Sequence, residues 1–286
     1  MLQGVLLTKN VGNYIIIIGG NGRTIAEIIY KKAYNKQRGV NMARETYINE
    51  RQNATTAVLF IHGFLSSPEY FERFTDYVPK NVSVFNILLD GHASTVEAFS
   101  KTSMDKWKKQ MEKVADEICS KYEKVYIVAH SMGTFFAMDA AIKHHDRIKG
   151  IILLQSALKI HIKPIAVINL LKAFFGVYSH DETSEAYDVI HGIDLNFRLW
   201  EYAGWISRYR ELKKESVIKR TAIKNVEIPC TIFMAINDEL VSYESVKFIP
   251  QKENFILYTL HESAHFIYEK EEENFIGETI FKMIDA

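Results

Sequence analysis

The chain has 286 residues, 35 basic and 35 acidic side chains, and is 48% hydrophobic. That balance leaves no net field to draw it to nucleic acid or an anionic surface, and the apolar share is ample for one large buried core. Its two cysteines, Cys119 and Cys230, are too few for a disulfide framework and point to a reducing, cytoplasmic setting.

In chain order, residues 14–18 read as a strand too short to cross a bilayer, and no basic region with a cleavage site precedes them. Gly19, Gly20 and Gly22 follow without the Lys-Ser/Thr of a phosphate loop. Residues 25–36 have helical apolar spacing, so 1–40 read as an extra strand and helix packed on the core. The apolar run 57–61 reads as a buried strand and ends in His62-Gly63-Phe64, a turn able to aim backbone N–H groups at a developing oxyanion. Met104, Trp107, Met111, Val114 and Ile118 recur three and four apart, the inner face of a helix over 103–121.

The densest signal spans 125–134. A β-branched strand runs into His130-Ser131-Met132-Gly133, and Phe135, Phe136, Met138 and Ala141 then mark a helix. A sharp strand-to-helix turn lifts a serine hydroxyl clear of the sheet and turns the first helix amides toward whatever it attacks, which makes Ser131 a candidate nucleophile. The spacing is A-x-S-x-G, with Ala129 where the first glycine of G-x-S-x-G usually stands. Another strand is predicted near 150–154. Between it and a strand near Cys230 lie about seventy residues that a parallel sheet does not require. They are rich in aromatics, among them Phe174, Trp200 and Trp205, before a basic and polar exit at Lys213-Lys214-Glu215-Ser216. This insertion reads as a cap roofing an apolar pocket at the carboxyl ends of the strands.

Residues 228–235 form a further strand pattern, with Asp238 just beyond it as candidate acid. Residues 255–258 follow as the last strand, and His265 beyond them is the candidate base, with His261 close enough to compete and Glu239 a neighbour of Asp238. Phe275, Ile276, Ile280 and Met283 give the final helix an inner face, and its acidic start suits the helix dipole. The clusters His144-His145-Asp146 and His180-Asp181-Glu182 lack ligand spacing, so neither a metal nor another cofactor is expected.

In this order and spacing the four segments resemble the α/β-hydrolase superfamily, in particular its monoacylglycerol lipase and carboxylesterase-like branch, from about Ala57 onward. Asp90-Gly91-His92 resembles the G-H-G turn of that branch, with Ala93 at the second glycine. The resemblance implies an α/β fold with a mostly parallel central sheet, helices on both faces and an inserted helical cap. The core would comprise 41–157 and 226–286, and the cap 158–225. It also implies Ser131, Asp238 and His265 as catalytic residues, Phe64 and Met132 as oxyanion amides, and Phe64, His130, Phe174, Trp200 and Trp205 as substrate contacts. The expected activity is hydrolysis of medium- or long-chain acyl esters such as monoglycerides or lysophospholipids, with transient lipid contact through the cap. Aminopeptidase or thioesterase activity on the same machinery, or a catalytically silent ligand-binding module, are the alternatives.

Overall fold

Alternation along the strands decides which side chain meets which layer of helices. The computed structural model describes residues 8–10, 15–17, 45–168, 193–194 and 198–285. They fall into two units, 1–42 and 43–286. In the first, β1 (Thr8–Asn10) pairs antiparallel with β2 (Ile15–Ile17). The helix expected over 25–36 lies outside the described residues.

The second unit is built on a seven-stranded sheet of order β11-β10-β8-β7-β4-β5-β3. Its members are β3 (Tyr47–Asn49), β4 (Thr56–Ile61), β5 (Ser83–Ile87), β7 (Lys124–His130), β8 (Ile148–Leu154), β10 (Cys230–Ala235) and β11 (Phe255–Leu260). Only β3 runs antiparallel within it. A two-residue parallel pair, β6 (Ser94–Thr95) with β9 (Ile193–Asp194), stands apart from it.

Strands buried on both faces read as unbroken apolar runs, and here each run divides by twos. Ala57, Leu59, Ile61, Val125, Ile127 and Ala129 enter one core, shared with α1 (Val96–Lys101), α2 (Met104–Lys121) and α3 (Gly133–Lys143). Val58, Phe60, Tyr126 and Val128 enter the other, with Tyr70, Phe71, Phe74 and the inner face of α5 (Lys270–Asp285). That inner face is Ile276, Gly277, Ile280 and Ile284; Phe275 and Met283, expected there, lie on its flanks. Ser103 caps α2, its hydroxyl accepting from the Lys106 amide at 3.2 Å.

The basic and polar stretch expected to leave the insertion is instead the middle of α4 (Ala203–Ala222), a helix lying against α1, α2 and α3. Glu215, Ser216 and Lys219 are buried there. Lys219 pairs with Asp139 at 2.6 Å and Glu215 at 2.9 Å, and Ser216 donates to the Leu158 carbonyl at 2.8 Å. Polar side chains thus face inward because opposite charges meet them, which a hydropathy pattern does not register. No helix among the described residues is long and apolar enough to cross a membrane.

Candidate active site

β4 sends its chain to β5 on one side, while β7 lies on its other side, so the strand order reverses between β4 and β7. Ligands of open parallel sheets bind in the crevice outside such a reversal. The two strands end there side by side, with Ile61 opposite Ala129, and continue into His62-Gly63-Phe64 and His130-Ser131-Met132.

Ser131 has φ of 53°, a left-handed conformation costing an L-residue about 1–2 kcal/mol. The surroundings hold it there. Its N–H donates to the Leu154 carbonyl at 2.9 Å, and its carbonyl accepts from the Thr134 amide at 3.1 Å and the Thr134 hydroxyl at 2.6 Å. A Cβ on Gly133 would overlap the Ile61 carbonyl oxygen and stand 2.7 Å from that of His62, so only glycine lets α3 begin this close to β4. A Cβ on Gly63 would stand 2.9 Å from the Ser131 Cβ, so the turn bearing Phe64 lies against the serine. Met132 is the N-cap of α3, where amides have no intrahelical acceptor. Ala129 is wholly buried within the strand, its methyl in the same core as Ile127.

Asp238, in the loop after β10, and His265, after β11, meet at 2.7 Å between Oδ2 and Nδ1. The other Asp238 oxygen accepts from the Leu240 amide at 2.8 Å and the Val241 amide at 2.7 Å, which fixes the carboxylate. A carboxylate acceptor makes Nδ1 the protonated nitrogen of a neutral His265 and leaves Nε2 with its lone pair. Both residues are buried. Burial alone would lower the His265 pKa, but the charge and hydrogen bond of Asp238, aided by the charge of Glu239, raise it above its ordinary value. His261 is exposed, and Glu239 takes the backbone N–H of His265 at 3.1 Å rather than its ring.

His130 was expected to touch substrate. It is instead wholly buried, its ring stacked on Tyr70 at 4.1 Å and its Nε2 donating to the His265 carbonyl at 3.0 Å. Counting in twos from Tyr126 and Val128 puts residue 130 on that inward side, so the pattern already carried the correction. Burial first, then the neighbouring His265, drives its pKa well down. His62 is likewise pushed down to about 4 by burial, against an opposing hydrogen bond to the Gly63 carbonyl. Phe64 packs edge-on against Phe99 at 5.0 Å, and Phe99 against Trp205 at 5.5 Å, so the two partly buried rings meet through a wholly buried one. Trp200 is 73% exposed, and Phe174 lies outside the described residues.

Side-chain patterning carries no sign of what Glu272 does. At the start of α5 it accepts from the His261 amide at 2.6 Å and from the Ser263 amide at 3.0 Å, bracing the turn that leads to His265. The acidic run therefore holds a loop as well as suiting a dipole.

Residues 52–186 match a family model described as serine aminopeptidase, S33. Two Arabidopsis thaliana proteins, the probable lysophospholipases BODYGUARD 1 and BODYGUARD 2, are 29% identical over 127 residues and 30% over 112. These matches cover 42% and 37% of this chain, and the chain spans only about a quarter of either relative, 26% and 23%. A structure from work on the metagenome-derived lipolytic enzymes LipS and LipT superposes with a TM-score of 0.66 at 16% identity, covering 85% of this chain and 98% of the other. Paleococcus ferrophilus monoacylglycerol lipase gives 0.59 at 14% identity, covering 84% and 99%. At such identities a superposition speaks for the fold, which the sheet order and the bend at Ser131 reach independently. Fold and family model coincide: the chain has an α/β-hydrolase fold, and its residues 52–186 are similar to that family.

Proposed function

We propose that this protein is a serine hydrolase of carboxylic esters. The observation that carries the reading is the buried Asp238–His265 pair at 2.7 Å on the same sheet end as a serine held at positive φ. His265 Nε2 takes the Ser131 proton as Oγ attacks the acyl carbonyl, and Asp238 stabilises the imidazolium that forms. The amides of Phe64 and Met132 receive the oxyanion. The protonated His265 returns its proton to the leaving alcohol, and a water activated by the same ring releases the acid from the acyl-enzyme.

The partly buried Phe64 and Trp205, joined through Phe99, support a medium- or long-chain acyl group, and the names of the relatives support monoglycerides or lysophospholipids. On this reading 158–225 forms the cap over the acyl chain and touches lipid transiently. The two buried free cysteines support a cytoplasmic location. The family model's description favours a second reading, release of N-terminal amino acids, for which amino-acid arylamides are the discriminating substrates.

The test is hydrolysis of p-nitrophenyl esters of increasing acyl length by the wild type and Ser131→Ala. The variant is expected to lose roughly 10⁴-fold or more in kcat, and the length optimum sizes the pocket. His265 is inactive when protonated and its pKa is raised, so kcat/KM should climb with pH through a midpoint above 6.5. Equal rates in the two proteins would overturn the assignment of Ser131.

A further inference from the structure

His265 is held by its main chain as well as by its ring. Its N–H donates to Glu239 Oε2 at 3.1 Å and its carbonyl accepts from His130 at 3.0 Å, while its ring is bound to Asp238. Two consecutive carboxylates of one loop therefore take two donors of one residue. Glu239 is only 5% exposed, and keeping a carboxylate so deep is costly. The carboxylate that takes this N–H also lies beside the residue that, on the reading above, gains a positive charge.

We propose that Glu239 is a positioning residue with two effects, fixing the His265 backbone and stabilising the imidazolium alongside Asp238. This rests on the reading of His265 as base given above. The groups facing His265 from its surroundings favour such a role. From the end of β7 comes His130, neutral and buried. From the turns Pro68–Phe71 and Glu72–Thr75 come Tyr70 and Arg73; the guanidinium reaches the Phe266 carbonyl at 3.3 Å and pairs with Glu273 at the same distance. Tyr268 precedes α5 and bonds Tyr70 at 2.6 Å. Arg73 opposes the imidazolium and is itself paired, whereas Asp238 and Glu239 come from the loop that touches the histidine directly. The pKa of His265 responds to both: burial lowers it, and Asp238 followed by Glu239 more than restores it.

Glu239→Gln separates the two effects, because its amide oxygen can still accept the His265 N–H while the charge is gone. Glu239→Ala removes both. The full chain, labelled with ¹⁵N-histidine, is titrated by NMR, with the His265 signal assigned from its absence in His265→Ala. The pH profile of kcat/KM on p-nitrophenyl butyrate is measured beside it. In Glu239→Gln the imidazole midpoint and the acid limb should both move to lower pH with the thermal midpoint retained. In Glu239→Ala kcat should fall roughly tenfold to a hundredfold with little change in KM, the scale of a displaced catalytic group. A Glu239→Gln midpoint that coincides with the wild type overturns the proposal. A midpoint that moves in a protein hydrolysing no ester supports the charge coupling and sinks the esterase reading instead, so the two failures are distinguishable.

Discussion

β5 and β7 flank β4, and the chain beyond each contains a non-glycine residue forced into left-handed backbone: Ala93 with φ of 51° and Ser131 with φ of 53°. The two bends differ in what surrounds them. Ser131 is wedged between Gly63 and Gly133, neither of which has room for a side chain, and is bonded to β8 and to the first turn of α3. Ala93 is only half-buried and follows Gly91, itself at φ of 74°. One bend holds a hydroxyl at the head of the sheet; the other presents a methyl group. Left-handed backbone of nearly equal φ thus marks a candidate site in one place and an ordinary turn in the other, and the chemistry of the side chain separates them.

The sharpest way to break this contrast is Gly133→Ala. The added methyl meets backbone oxygens that cannot swing away, so a loss of about 3 kcal/mol in urea unfolding is expected, with activity lost too. An unchanged midpoint would mean that α3 can slide and that β4 does not fix the elbow. Next comes Ser131→Gly, which relieves the left-handed strain at the cost of a looser unfolded chain. It should melt above Ser131→Ala by the equivalent of about 1 kcal/mol, although both are inactive. Identical melting temperatures would show that the surroundings exert no strain on residue 131. The smallest effect is expected from Ala93→Gly, a gain of about 0.5 kcal/mol with kcat unchanged. A destabilised Ala93→Gly would place that turn in the same class as the elbow.

What the sequence disclosed and what it hid follow from the range of the interactions. The strands β4, β7 and β10 and the bend at Ser131 are written in contiguous residues, so period and turn chemistry sufficed to place them. The meeting of Asp238 with His265 lay 27 positions apart and was reached through resemblance rather than periodicity. The burial of Glu215 and Ser216 runs against their reading as a polar exit because it depends on Lys108, carried by another helix, and on the Leu158 carbonyl. The roles of Glu239, named only as a neighbour of Asp238, and of Glu272, read only as suiting a helix dipole, were hidden because each acts on the backbone of the segment around His265, and backbone amides leave no trace in side-chain patterns.

The contact between Arg73 and Glu273 spans 200 positions, and that between Tyr70 and Tyr268 spans 198. Both tie the segment carrying His265 to the turns beyond β4, and contacts of such separation close large loops slowly. A ribosome releases Ser131 more than a hundred residues before His265. Throughout that interval the nascent chain holds Ser131 without its proposed base, and the proposed pair comes together only once the two ends of the unit have found each other.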